Sequence, residues 1–230
     1  MHIMEGFLPW QWALLWWLAA LPCLALGVYR LERVLSADRE ALPLLGVTGG
    51  FVFILSSLKL PSVTGSSSHP TGTGLSAIAF GPWVTAVIAA IVLLFQALFL
   101  AHGGLSTLGA NVISMGVAGP LVGYGIYRGL RDTRVSTFVT VFLACIFADL
   151  FTYIVTSLQL ALAYPAEVGG VMSSLVVFLG IFAITQVPLA ILESVILVLV
   201  FKYILQLRPG ILVRLGVFSE AKIVAAGGDL

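Results

Sequence analysis

Apolar residues fill six long stretches of this chain, and short polar connections separate them. The stretches run over residues 10–31, 41–58, 72–101, 105–128, 135–160 and 171–207. A transmembrane helix needs about 20 mostly apolar residues, and each stretch meets or approaches that length. The pattern predicts an all-α integral membrane protein.

Basic residues in the connections indicate which helix ends face the cytoplasm. Arginines cluster at 30–40 and again at 127–134, and four basic residues follow from Lys202 to Lys222. Short loops rich in Lys and Arg stay on the cytoplasmic side. If each stretch crossed the membrane once, residues 127–134 would lie three crossings from residues 30–40 and therefore outside, which contradicts this rule.

The stretch 72–101 removes the contradiction if it holds two crossings. Gly81 and Pro82 lie inside it, and a proline favours a break because it lacks the N–H group that a continuous helix needs. A short helix before Gly81 is tolerated at membrane depth when protein surrounds it. The chain then has about seven transmembrane helices, with the N-terminus outside and the C-terminus inside.

In this interpretation residues 1–207 form one transmembrane domain, and residues 208–230 form a cytoplasmic tail. The last stretch, 171–207, is long for one crossing at about 1.5 Å per residue. We therefore expect one tilted crossing, or a bend near Gln186 and Pro188.

Composition agrees with a membrane location and excludes several functions. The chain is 60% hydrophobic and 9% charged, with a mean hydropathy of +1.12 and a net charge of +1. It therefore lacks the extended basic surface that nucleic acid requires. It also lacks the GxxxxGKS/T loop of ATPases and the HExxH motif of zinc proteases. We expect a multi-pass membrane protein that is not an enzyme.

The three histidines, His2, His69 and His102, all lie on the predicted outer side. We expect Met1 to be retained, because methionine is normally trimmed only before a small residue. The Met1 amine, the His2 amide nitrogen and the His2 imidazole can close two chelate rings on one metal ion. This nitrogen-rich, square-planar field suits Ni(II), Cu(II) or low-spin Co(II) and leaves one position for a distant side chain. The alternative is an ordinary exposed histidine near the start codon.

His69 lies in a polar loop, residues 60–75, with seven hydroxyl residues and three glycines. A long polar loop in a compact membrane protein favours a lid or a binding element, and a flexible linker is the alternative. Its hydroxyl groups, Ser66 and Ser68 among them, can orient an imidazole ligand.

Four further polar residues are candidates near the centre. His102 and Asn111 can support it close to the outer surface, or they can be an interface histidine and a helix-packing amide. Asp149 and Glu193 lie inside apolar stretches, where a carboxylate is costly and is a functional or pairing residue by default. Subunit contact, structural pairing and a place nearer the metal all remain open for them.

Two glycine pairs have the GxxxG spacing that lets membrane helices approach closely. Gly46 with Gly50 lies in the second stretch, and Gly119 with Gly123 lies in the fourth. Each pair predicts either internal helix packing or a docking face for another membrane subunit.

Five segments in order resemble the substrate-capture membrane subunits of cobalt and nickel energy-coupling-factor (ECF) transporters, the CbiM/NikM family. They are MHIMEGFLP, SVTGSSSHPTGTGL, FGPW, LLFQALFLAHGGLSTLGAN and TSLQLALAYP. The resemblance runs from residue 1 to about residue 206. It implies the ECF substrate-subunit fold, with seven spans that include an added N-terminal helix. It also implies a metal held by the Met1 amine, the amide and imidazole nitrogens of His2, and His69.

The resemblance further implies partners and a substrate. The partners would be a transmembrane coupling subunit (CbiQ/NikQ type), an ATPase (CbiO/NikO type) and a small accessory membrane subunit (CbiN/NikN type). The substrate would be Ni(II) or Co(II), and the choice stays open because many cobalt-type members have a cysteine where this chain has Ser67. A self-sufficient secondary metal permease is the competing hypothesis. Such permeases usually contain inverted repeats, and this sequence shows no internal repeat.

Overall fold

The computed structural model of the chain describes residues 1–61 and 66–228. Residues 62–65 of the polar loop and residues 229–230 of the tail lie outside the described residues. The described chain is mostly helical, and a small three-stranded sheet joins the N-terminus to the polar loop.

Eight α-helices lie between residues 10 and 207 of the described chain. They are α1 (Trp10–Ala37), α2 (Ala41–Ser57), α3 (Thr73–Phe80), α4 (Pro82–Phe99), α5 (Leu108–Asn111), α6 (Gly119–Leu130), α7 (Thr137–Ala163) and α8 (Gly170–Leu207). A π-helical segment, Val112–Ala118, joins α5 to α6. The strands are β1 (His2–Ile3), β2 (Leu60–Pro61) and β3 (Ser66–Ser68).

The membrane character of the chain is confirmed by five helical segments that are long and apolar enough to cross a bilayer. Among the described residues they are Trp10–Ala37, Pro82–Phe99, Leu108–Leu130, Thr137–Ala163 and Gly170–Leu207. Helix α2, with 17 residues, and helix α3, with 8, are shorter. The count of seven crossings needs both of these shorter helices and therefore stays a prediction.

The two prolines singled out in the sequence, Pro82 and Pro188, lie at different places in their helices. At the first, α3 ends at Phe80 and α4 begins at Pro82, as the sequence predicts. Gly81 between them has φ +82°, a backbone conformation that glycine adopts far more readily than other residues. At the second, Pro188 lies inside α8, which is one continuous helix of 38 residues.

The two GxxxG pairs also differ. Cβ atoms built at Gly119 and Gly123 would lie 2.6 and 2.7 Å from backbone carbonyl oxygens of α7, so this pair allows α6 and α7 to pack closely. A Cβ atom at Gly46 or Gly50 would meet no other atom within 4 Å. Internal packing is therefore the role of the second pair, whereas the first pair faces open space.

The C-terminal segment packs against the helices that precede it. It forms two short helices, α9 (Pro209–Arg214) and α10 (Glu220–Ala225). Its residues Phe218 and Ile223 are buried in one apolar cluster with Tyr127, and the Tyr127 hydroxyl donates a hydrogen bond to the backbone of the segment. The sequence separates residues 208–230 as a tail, but residues 208–228 share their core with the membrane helices. The sequence offers no sign of this, because it does not show which apolar side chains meet.

Candidate metal centre

The antiparallel sheet brings the N-terminus against the polar loop. Strand β3 lies in the middle and pairs with β1 on one side and β2 on the other. In this register His2 lies opposite Ser67, two residues before His69. Met1 and His2 are fully buried, so the N-terminus lies inside the protein.

The three histidines meet at one point, and each is buried. The His2 ring centroid lies 4.1 Å from that of His69 and 4.5 Å from that of His102, and 4.9 Å separates the other pair. One ring nitrogen from each can be chosen so that all three lie within 4.8 Å of one another. Nitrogens at neighbouring positions on one ion are about 3.0 Å apart when each bond is about 2.1 Å long, so the three rings must move closer together for one ion to bind all of them.

His69 and His2 each have one nitrogen bonded to protein and one without a partner. His69 Nδ1 lies 2.7 Å from the carbonyl oxygen of Pro70, so Nδ1 carries the hydrogen and Nε2 holds the lone pair. His2 Nε2 lies 3.2 Å from Met115 Sδ. Among the described residues, His69 Nε2 and His2 Nδ1 are buried without a hydrogen-bond partner. Buried polar atoms are normally bonded, so a metal ion fits as the missing partner. His2 Nδ1 is also the nitrogen that closes a six-membered chelate ring with the His2 amide.

Burial also makes the nitrogens of the centre good ligands at neutral pH. Desolvation lowers the pKa of the Met1 amine from 8.0 to about 6, although the charges of Asp149 and Glu193 oppose the shift. Burial and the neighbouring basic groups hold the pKa of His2 and of His69 well below the usual value. At pH 7 these groups are therefore mostly uncharged bases with free lone pairs, the form that metals bind.

His102 lies in the cluster itself, beside the other two imidazoles. Its Nε2 lies 2.9 Å from Ser67 Oγ, and its Nδ1 is buried without a partner in the described chain. Burial lowers the pKa of His102 to about 3, so this ring is neutral as well. The sequence predicts only support or an interface position for His102.

Asn111 at the end of α5 and residues just before this helix hold the N-terminal segment. Asn111 Oδ1 accepts a hydrogen bond from the Ile3 N–H at 2.8 Å, and Asn111 Nδ2 donates to the Ile3 carbonyl oxygen at 3.1 Å. The Thr107 hydroxyl donates to the same carbonyl oxygen at 2.8 Å. Farther along, the Glu5 carboxylate accepts from the Ser106 N–H at 3.1 Å. Together these bonds fix the direction in which the neighbouring histidine points.

Glu193 of α8 holds the chain that follows His69. Its carboxylate accepts hydrogen bonds from the Thr71 N–H at 2.6 Å, the Thr71 hydroxyl at 2.9 Å and the Gly72 N–H at 2.7 Å. These donors give a buried carboxylate the partners that it needs inside a membrane helix.

Gln186, two helical turns before Glu193, holds His69 itself. Its Nε2 donates to the His69 carbonyl oxygen at 3.1 Å and to the Asp149 carboxylate at 2.8 Å. The neighbouring Thr185 hydroxyl lies 2.8 Å from that of Ser68. Both intramembrane carboxylates therefore pair with the segment that carries His69, Glu193 directly and Asp149 through Gln186.

The hydroxyl and amide candidates lie near the centre, where Ser68 contacts another hydroxyl group and Asn111 contacts the backbone. Within the described residues neither Ser66, Ser68 nor Asn111 hydrogen-bonds an imidazole, and Ser66 Oγ has no partner. The hydroxyl group that does contact one is Ser67, which bonds His102.

Four residues around the centre are absent from the sequence candidates: Ser67, Thr107, Met115 and Gln186. Gln186 carries a usable signal, because an amide inside an apolar stretch needs a polar partner. Met115 carries none, because a methionine in an apolar helix is typical of core packing.

The fold and this centre define a class: a multi-pass membrane protein with a buried, nitrogen-rich site suited to a divalent transition metal. The profile of the CbiM family, described as the cobalt uptake substrate-specific transmembrane region, matches residues 2–211. This chain belongs to the CbiM family. It is therefore a component of a transporter and not an enzyme.

Individual relatives support the assignment along the whole chain. A CbiM protein from Methanosphaerula palustris is 64% identical over 98% of this chain and 96% of its own length. A fused CbiMQ protein from Methanocorpusculum labreanum is 56% identical and matches 100% of this chain with 39% of its own length. The crystal structure of a truncated transition metal transporter superposes with a TM-score of 0.75 at 27% identity, over 89% of this chain and 98% of that one.

Proposed function

We propose that this chain captures Co(II) at the outer face of the cell membrane as the substrate-specific subunit of an ATP-driven ECF transporter. The observation that carries the proposal is the set of buried imidazole nitrogens that have no hydrogen-bond partner among the described residues, together with the buried N-terminal amine. The description of the family as a cobalt uptake region favours Co(II). Ni(II) suits the same nitrogen donors and is the second substrate to test.

The proposed square plane uses four nitrogens from three residues. They are the Met1 amine, the His2 amide, His2 Nδ1 and His69 Nε2. The first three close adjacent chelate rings, and the hydrogen bond from His69 Nδ1 to Pro70 leaves Nε2 free as the fourth donor. Ser66, Ser68 and Asn111 support this arrangement through the segments that carry the ligands.

The proposed topology has seven crossings, with the N-terminus outside and the C-terminus inside. The three basic regions lie together at one end of the molecule, which supports it. The Arg214 guanidinium bonds Asp38 and Glu40, the latter at 2.7 Å. Lys222 Nζ lies 2.6 Å from the carbonyl oxygen of Arg131. Helix α1, with 28 residues or about 42 Å, connects this end to the N-terminal end that holds the metal centre.

The proposed partners are a coupling subunit of the CbiQ type, an ATPase of the CbiO type and a small accessory subunit of the CbiN type. The fused CbiMQ relative supports the first, because one polypeptide there joins the two parts. A separate ATPase agrees with the lack of a phosphate-binding loop in this sequence.

Metal content by mass spectrometry tests the ligand set. Protein with a native N-terminus is offered cobalt and nickel together, and we expect one bound ion of either metal. A residue added before Met1, or acetylation of Met1, should abolish tight binding because it removes the amine. His69→Ala should leave three nitrogens and a much weaker site.

The control adds the same residue after Leu230, far from the centre in sequence, and should bind metal like the unchanged protein. Undiminished binding after acetylation refutes the terminal-amine ligand, and undiminished binding by His69→Ala removes His69 from the set.

Transport in vesicles tests whether this chain needs its coupling subunit and ATPase to move the metal. This chain together with its coupling subunit and ATPase should accumulate cobalt when ATP is supplied, and the chain alone should not. Accumulation by the chain alone would instead establish a self-sufficient permease.

A further inference from the structure

His102 lies at the metal centre, but the four-nitrogen plane does not use it. Its ring centroid is 4.5 Å from that of His2 and 4.9 Å from that of His69, and its Nδ1 is buried without a partner in the described chain. A buried ring nitrogen beside a metal site, with nothing else to bond, is a candidate ligand.

The contact with Ser67 leaves Nδ1 of His102 available. Ser67 Oγ lies 2.9 Å from His102 Nε2. When Nε2 carries the hydrogen and donates it to this oxygen, the lone pair resides on Nδ1. A hydrogen bond to the remote nitrogen is the usual way in which a protein orients a ligating imidazole.

The backbone beside His102 also approaches the centre closely. A Cβ atom built at Gly103 would lie 3.8 Å from His2 Nδ1, an ordinary contact distance, and 3.2 Å from Asn111 Nδ2, so a larger residue would crowd the Asn111 amide. Ala101 has φ +46° and Gly103 has φ +76°, left-handed conformations that turn the chain sharply around His102. The Glu5 N–H donates to the Gly103 carbonyl oxygen at 3.1 Å, which ties this turn to the N-terminal segment.

With the four positions in the plane filled, a fifth nitrogen can bind only along the axis perpendicular to the plane. Low-spin Ni(II), a d8 ion, has a filled orbital along that axis and repels a fifth donor. Low-spin Co(II), a d7 ion, has one electron there and accepts a donor. Geometry rather than raw affinity is how protein sites select among such metals.

We propose that His102 Nδ1 is an axial fifth ligand that binds Co(II) but not Ni(II), and that it raises the preference of this centre for cobalt. The inference rests on the proposed function, because it assumes the square plane of Met1, His2 and His69. It assigns His102 a role in selectivity, and the Ser67 hydroxyl a role in orienting it.

Electron paramagnetic resonance of the Co(II)-loaded full chain, prepared without oxygen, tests the proposal. The unpaired electron points along the axis, so one axial nitrogen-14 splits the lines into triplets, and labelling the protein with nitrogen-15 histidine converts them to doublets. His102→Ala should lose the splitting. Its ratio of the Kd for Co(II) to the Kd for Ni(II) should rise about tenfold.

Leu105→Ala is the matched control, because Leu105 lies in the same loop with its side chain exposed, and it should keep the triplets. Unsplit lines in the unchanged protein, or triplets that persist in His102→Ala, would overturn the proposal. The isotope experiment needs no variant, so a poorly folded His102→Ala protein does not remove the test. Failure of the proposed function looks different: the unchanged protein would bind neither metal, or would bind both after Met1 is acetylated.

Discussion

The segment that carries His2 and the segment that carries His69 differ in how the protein holds them. Next to His2, neutral groups hold the first, because the Asn111 amide and the Thr107 hydroxyl bond the backbone of Ile3. The charged Glu5 carboxylate bonds Ser106 farther along and at an exposed position. A charged group holds the second, through three hydrogen bonds to the Glu193 carboxylate. Hydrogen bonds to a charged group contribute about 1.5–3 kcal/mol, and neutral ones about 0.5–1.5 kcal/mol.

The difference predicts that the centre depends on two attachments of unequal strength. One comes from Asn111 of α5 and from Thr107 before it, and the other comes from α8, and the two segments meet in the pairing of β1 with β3. The distance between His2 and His69 therefore depends on both. Breaking the charged attachment should disturb metal binding more than breaking the neutral one.

Glu193→Gln should have the largest effect. Glutamine keeps one acceptor oxygen and turns an NH2 group toward the N–H and hydroxyl donors of Thr71 and Gly72, so at least one donor loses its acceptor. Loss of one or two bonds to a charged group predicts that the Kd for Co(II) rises about 100-fold, or about 2.7 kcal/mol. Isothermal titration of detergent-purified protein measures it.

The control for this change is Glu167→Gln, the same substitution at an exposed position between α7 and α8. It should bind Co(II) like the unchanged protein. A Kd for Glu193→Gln within threefold of this control, roughly 0.65 kcal/mol, would show that the charged attachment does not position His69.

Local signals in the sequence predict several of these features. Proline and glycine act on the backbone where they stand, so the break between α3 and α4 is predictable from Gly81 and Pro82. The three histidines could be assigned to one side from charged loops alone, and the structure brings them together. Asp149 and Glu193 are recognisable because a carboxylate inside an apolar stretch needs a partner.

Asn111→Ala should have an intermediate effect. It leaves the Ile3 N–H without the acceptor that Asn111 Oδ1 provides, whereas the Ile3 carbonyl oxygen keeps the Thr107 hydroxyl. An unsatisfied buried donor costs about 1–3 kcal/mol, so the Kd for Co(II) should rise about tenfold.

Thr107→Val is a milder change at the same attachment, and its effect on the Kd is compared with that of Asn111→Ala. It removes one of two donors to the Ile3 carbonyl oxygen, and Asn111 Nδ2 still donates to it, so the increase in Kd should be smaller, about threefold or less. An equal or larger effect of Thr107→Val in the same titration would contradict the assignment of Asn111 as the main attachment.

The remaining contacts depend on chain packing and could not be predicted from the sequence. Thr71 and Glu193 are 122 residues apart, and no local pattern indicates that they meet. The position of His102 could not be predicted either, because it depends on the left-handed turn at Ala101 and Gly103 and on the approach of the N-terminal segment. For the same reason one GxxxG pair packs against α7, and the other, with identical spacing, does not.

Thr185→Val should have the smallest effect, and it tests whether α8 holds the chain before His69 as well as after it. The Thr185 hydroxyl lies 2.8 Å from that of Ser68 and also donates to the Phe182 carbonyl oxygen at 3.2 Å, so the single change overstates the contribution of the Ser68 contact. A double-mutant cycle with Ser68→Ala isolates the pair, and we expect a coupling of about 0.5–1 kcal/mol in the free energy of Co(II) binding. Full additivity of the two changes would show that Thr185 does not position Ser68. The attachment of this segment to α8 would then depend on Gln186 and Glu193.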